Sequence, residues 1–154
     1  MSDFAIEHLF ATPMAAVSYE RSETLNPQLK ARILEMEAEG DRHRDTVKRE
    51  SQGGPLFESN FDLFKIDDPL FQELAAFCHR AVSSVVVQLS YMDERLFRSL
   101  EFHYDAWFHV SRKHAFQGLH NHQNASWSGI YCVDPGDADP SQPMSGMVRF
   151  HDPR

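Results

Sequence analysis

Asp68-Pro69 opens a run in which Leu70, Leu74, Cys78, Val82, Val85 and Leu89 recur at helical spacing, with Phe71, Phe77 and Val86 widening the stripe. Aspartate before proline is a helix start. The carboxylate accepts from the free N–H groups of the first turn, and proline in the first position gives up no hydrogen bond. A stripe this wide has to be buried, so the helix faces a core. From Glu101 onward the period changes: Phe102, Tyr104, Trp107, Phe108 and Val110 predict a strand, and further strands are expected around 116–123, 126–133 and 147–150. Helices first and strands after predict an α+β fold with an antiparallel sheet.

Before the long helix the pattern is less regular. Residues 6–19 are expected to contain a strand around Pro13, and Asn26-Pro27 reads as the cap and first position of a helix carrying Leu29, Ile33 and Met36, ended by Gly40. The charge-dense stretch from Asp41 to Glu50 reads as a solvated, mobile loop, and Ser51-Gln52-Gly53-Gly54-Pro55 as a turn. A short strand or turn is expected over 56–66, and Leu96 and Leu100 suggest a shorter helix after Tyr91-Met92-Asp93.

A chain of 154 residues is expected to make one domain, here 1–154. Its parts are a helix-and-strand region over 1–100 and an aromatic strand region over 101–154. A formal charge of −8 argues against unaided binding to nucleic acid or an acidic membrane. No apolar stretch is read as approaching the ~20 residues of a membrane span. Met1-Ser2-Asp3-Phe4 lacks the basic start and apolar run of a signal peptide, so a cytoplasmic location is expected. Cys78 and Cys132 are then expected as free, buried thiols.

His120 and His122 are the candidate metal ligands. On a strand, residues i and i+2 point to one face about 6–7 Å apart, so both imidazoles can turn onto one ion. Imidazole suits iron, zinc, copper and nickel. With nine histidines in the chain, spacing alone also fits a solvated polar face. The setting favours a site: His103, His109, His114, His120 and His122 share one stretch with Phe102, Tyr104, Trp107, Phe108, Phe116, Trp127 and Tyr131. The pair is expected to point into a concave, aromatic-lined face. There is no H-E-x-x-H, and the cysteines lack zinc-ribbon spacing.

The segments HNHQNASWSGIYCVDPGD and SGMVRFHDPR resemble a family of 2-oxoglutarate/Fe(II)-dependent oxygenases of bacteria and their phages. Their signature runs H-x-H-P-x-S-x-x-S-G-x-Y-Y, then a proline-bearing loop, then G-x-[LI]-x-F-x-D-P-R. LFATPM, LNPQLKARI and the Ser51-Gln52-Gly53-Gly54 turn fit the same family's opening, and the specific part of the match is 118–154. The departures are Gln123 for the family's proline, Cys132 for its second tyrosine and His109 where asparagine is frequent.

The resemblance implies a double-stranded β-helix, a cupin-like jelly roll, with flanking N-terminal helices. It implies Fe(II) held by His120 and His122 with a third ligand, and 2-oxoglutarate as cosubstrate. It also implies a hydroxylase that couples decarboxylation to succinate and CO₂ with oxidation of a small-molecule or peptide substrate. The family's distal histidine and its 2-oxoglutarate-anchoring arginine are expected on strands after Arg154, so the jelly roll is expected to continue beyond 154 and to be incomplete in this chain. Wide aromatic strand faces suggest a homo-oligomer as an alternative way of covering them. Two other functions stay open. One is a non-catalytic jelly-roll module that has lost the metal centre. The other is a cupin-like three-histidine metal protein, with His114 or His151 as the third ligand.

Overall fold

The computed structural model describes residues 11–137 and 139–151. Its helices are α1 (Ser22–Ala38), α2 (Pro69–Ser90) and the short α3 (Glu94–Arg98). Its strands are β1 (Gln52–Gly53), β2 (Leu56–Glu58), β3 (His109–Ser111) and β4 (Phe116–Gln117). The strands pair antiparallel as β1 with β4 and β2 with β3, and the described residues form no closed barrel.

The two pairs are one ribbon with an interruption. Gln52 faces Gln117, Gly53 faces Phe116, and the ladder resumes with Leu56 opposite Ser111 through Glu58 opposite His109. Gly54-Pro55 fill the gap on one arm and Arg112 to Ala115 fill it on the other, so the second arm carries the larger insertion. Proline cannot donate to a ladder. Its carbonyl still accepts from the Arg112 N–H at 3.2 Å, which closes the break from the other side. Gly54 has φ +70°, and a Cβ there would run into the His114 carbonyl, so this corner requires glycine.

The core lies between this ribbon and two helices. Leu25, Leu29, Ile33 and Met36 make the buried face of α1. Phe71 and Leu74 of α2, Phe57 of β2, Leu63, and Ala106, Phe108 and Val110 of the second arm complete the cluster. Phe57 and Phe108 stack across the ladder with ring centres 5.7 Å apart. Tyr19 is buried ahead of α1 and donates its hydroxyl to Glu73 of α2 at 2.8 Å.

Several expectations meet a different structure. α1 begins at Ser22, so Pro27 lies inside it, and Asn26 caps nothing: its Oδ1 accepts from the Tyr131 hydroxyl at 2.6 Å. Gly40, at φ +64°, follows the helix end as expected. The strand expected over 6–19 lies partly outside the described residues, and 11–19 contain none. The charged stretch after Gly40 is mostly exposed and has no regular element over 45–49, but it is anchored: Gly40–Arg42 form a 3-10 turn, Arg44 bridges to Ser59, and Asp45 pairs with Arg49 at 2.7 Å.

α2 starts as read, with the Asp68 carboxylate accepting from the Leu70 N–H at 3.0 Å. Phe71, Leu74 and Val86 are buried, whereas Leu89 near its end is exposed. By length and composition its 22 residues are enough to cross a membrane, contrary to the expectation for this chain, because Glu73 and Arg80 are its only acidic or basic residues apart from His79. The strand expected around 102–110 is limited to its end, and that around 116–123 to its first two residues. Residues 126–133 and 147–150 form no strand, since no partner among the described residues completes a ladder with them. Cys132 is exposed and Cys78 half-buried; burial pushes the Cys78 thiol pKa up.

Candidate functional site

His120 and His122 follow β4 directly. The arm that carries them is pinned by the Gly118 N–H, which donates to the Ser51 carbonyl at 2.6 Å, just beyond the β1–β4 ladder. Neither histidine is in a strand, and both are exposed. The structure nonetheless brings the pair together, with ring centres 5.0 Å apart and the rings edge to face. Metal–nitrogen bonds of about 2.1 Å, made by two imidazoles at roughly right angles, set ring centres roughly 4.6–5.0 Å apart. The observed spacing fits that donor set.

The tautomer of His120 is fixed by its neighbour. Its Nδ1 lies 2.9 Å from the Gly118 carbonyl, which can only accept, so Nδ1 carries a proton and Nε2 is the nitrogen left to ligate. A metal-binding imidazole needs this state, with one nitrogen donating to a backbone carbonyl and the other free to ligate.

His122 rests near Trp107, with ring centres 5.7 Å apart. Trp107 also packs on Phe61 at 4.5 Å. Beyond the indole lies a buried carboxylate that sequence reasoning did not single out. Glu58 is 6% exposed. Its Oε2 accepts from Gln52 Nε2 at 2.6 Å and stands 2.5 Å from His109 Nε2, while Arg49 pairs with Oε1.

Trp107 Nε1 also lies 3.2 Å from His109 Nε2. One imidazole nitrogen cannot donate to a carboxylate and accept from an indole at once. The shorter, charge-favoured contact decides: Nε2–H donates to Glu58, and the Trp107 N–H abuts the imidazole edge. Asp45 closes the far end of the network. Burial raises its pKa, but the Arg49 hydrogen bond and the Val47 N–H outweigh that and hold it below the usual value.

Of the other aromatic residues read as pocket walls, Phe108 is core, stacked on Phe57. Tyr131 packs on Phe77 of α2 at 5.9 Å and bonds to Asn26 of α1. His103 and His114 are exposed, and His114 turns the corner of the second arm at φ +72°. Among the described residues, no group of three His, Cys, Asp or Glu side chains stands ready to hold a metal ion. An open cleft of about 300 Å³ is lined by Ser83, Ser84, Val87, Gln88 and Phe97, all remote in sequence from the histidine pair.

No family model matches the chain, and no curated protein and no solved structure matches it either.

Proposed function

We propose that the chain carries two of the iron ligands of an iron- and 2-oxoglutarate-dependent oxygenase, His120 and His122. The observation that supports this reading is the paired imidazoles at 5.0 Å, one of them locked by the Gly118 carbonyl with Nε2 free. Two neutral imidazoles suit Fe(II), with other ligands completing the sphere. When bound, the iron with 2-oxoglutarate and O₂ supplies the oxidation of a substrate C–H coupled to loss of CO₂ from the cosubstrate.

The chain's own part is to hold and shape. The Gly118 carbonyl orients His120, and Trp107 walls one side of His122. The exposure of both rings leaves room for the cosubstrate and for a small-molecule or peptide substrate. The α+β jelly roll with flanking helices, the cytoplasmic location and homo-oligomerisation belong to this same reading.

A second reading is a non-catalytic module without a metal centre, favoured by the lack of a three-ligand group among the described residues. Anaerobic calorimetry with Fe(II) separates the two. The oxygenase reading requires binding that weakens roughly tenfold or more in both His120→Ala and His122→Ala, and 2-oxoglutarate binding that needs the iron. No iron binding supports the non-catalytic module. Iron binding without any response to 2-oxoglutarate supports a cupin-like three-histidine site.

A further inference from the structure

Among the described residues, Glu58 is the one buried carboxylate that touches both pairs of strands. Gln52, which donates to it, is in β1, the partner of β4; His109, which also donates to it, is in β3, the partner of β2. β4 leads into the histidine pair, and the chain just before β3 carries Trp107, which faces His122. The ladder is interrupted between these two places, and across the gap the Arg112 N–H donates to the Pro55 carbonyl, so the Glu58 side chain adds to a short backbone link. The Glu58 side chain spans the interruption at 2.6 Å to Gln52 and 2.5 Å to His109, with Arg49 on its other oxygen.

We infer that Glu58, acting through His109 and Trp107, is the positioning group for the His120/His122 metal site. The inference rests on the proposed function. Glu58 touches neither the metal ligands nor anything bound to them; it sets where the Trp107 indole stands relative to the His122 ring. Supporting groups of this kind govern metal affinity because a ligand free to swing must be ordered when the ion binds. With its bond to Glu58 removed, His109 is free to turn and its edge no longer meets the Trp107 N–H, so the indole, still packed on Phe61, loses one of the two contacts that seat it beside His122.

The test uses Co(II) as a probe ion on the full chain, in a Trp127→Phe background that leaves Trp107 as the sole indole. Two signals are read: the Co(II) visible absorption spectrum, and quenching of Trp107 emission by the bound ion. Glu58→Gln, confirmed folded by its far-UV circular dichroism, is expected to weaken Co(II) binding about tenfold, to alter the absorption spectrum and to reduce quenching at saturation. Should Glu58→Gln not fold, His109→Gln serves, because its amide still donates to Glu58 while the edge that meets Trp107 is lost.

If binding depends on His122 but Glu58→Gln or His109→Gln leaves affinity, spectrum and quenching unchanged, the positioning role is wrong and the metal-site reading stands. If Co(II) affinity is unchanged in His122→Ala, the metal-site reading fails and the positioning role with it.

Discussion

Replacing Phe57 by leucine isolates what an aromatic ring contributes at the centre of the ribbon. Phe57 is 2% exposed, stacks on Phe108 with planes 10° apart and carries the Arg44 guanidinium 4.3 Å from its ring centre. Leucine keeps most of the apolar bulk and loses both aromatic contacts. The stacked pair is worth about 0.5–1.5 kcal/mol beyond burial, and the cation–π contact about 0.5–1 kcal/mol. The expected loss is therefore roughly 1–2.5 kcal/mol. At a urea slope of about 2 kcal/mol/M, the unfolding midpoint falls by about 0.5–1.2 M. Phe57→Ala, which also opens a cavity, should lose about 3–5 kcal/mol, a large part of the total for a domain of this kind.

Urea unfolding followed by circular dichroism measures both variants. Repeating Phe57→Leu in an Arg44→Ala background should show a smaller loss, because one of the two contacts is already gone. A midpoint for Phe57→Leu within about 0.2 M of the parent chain, or an equal loss in both backgrounds, would refute the assignment of stability to the ring and its two neighbours.

Three further outcomes are expected. Asp68→Ala should cost about 1–2 kcal/mol through loss of the cap on Leu70 N–H and of the 3.0 Å contact to Arg32, whereas Asp68→Asn keeps the cap acceptor and should lose less in the same urea assay. Tyr91→Gly should gain roughly 0.5–1 kcal/mol, because Tyr91 ends α2 at φ +49° with its side chain 94% exposed, and glycine removes the backbone strain without removing packing; a lower thermal midpoint would count against this. The Lys30 hydrogen bond, at 2.5 Å, holds the Asp134 carboxyl below its ordinary pKa, so the latch between α1 and the 131–134 segment is complete above the ordinary aspartate pKa and is lost as pH falls through the depressed value. Carboxyl NMR titration should show that depression in the parent chain and a smaller one in Lys30→Ala, where the Gly136 N–H still donates to Asp134.

What the sequence reveals here follows the range of each interaction. The start of α2 is legible because the Asp68 cap reaches only two residues ahead. The histidine pair is legible because its members are two residues apart, and it assembles without the strand that the spacing suggested. The start of α1 is not legible, because the Asn26 side chain that reads as a cap is taken by Tyr131, 105 residues away. The Glu58 network is hidden for the same reason: its histidine comes from 51 residues further on. Trp127, Ile130, Tyr131 and Val133 promise a strand over 126–133, but a strand needs a partner, and the pattern in one segment says nothing about which segment that is. Nothing in the residues beside His109 shows that its ring serves a buried carboxylate.

The ribbon also decides the order in which this chain acquires its structure. Phe57 and Glu58 meet Val110 and His109 across a detour that contains all of α2 and α3. Closing a loop of some fifty residues costs roughly 3–4 kcal/mol of chain entropy before any ladder bond repays it, while α1 and α2 need only neighbours along the chain. Helical circular dichroism should therefore return in the earliest phase of refolding, and native Trp107 emission only in a later one, when the two arms find each other. Slowing that last encounter, rather than weakening any helix, is how a substitution in the detour would leave the chain exposed to aggregation.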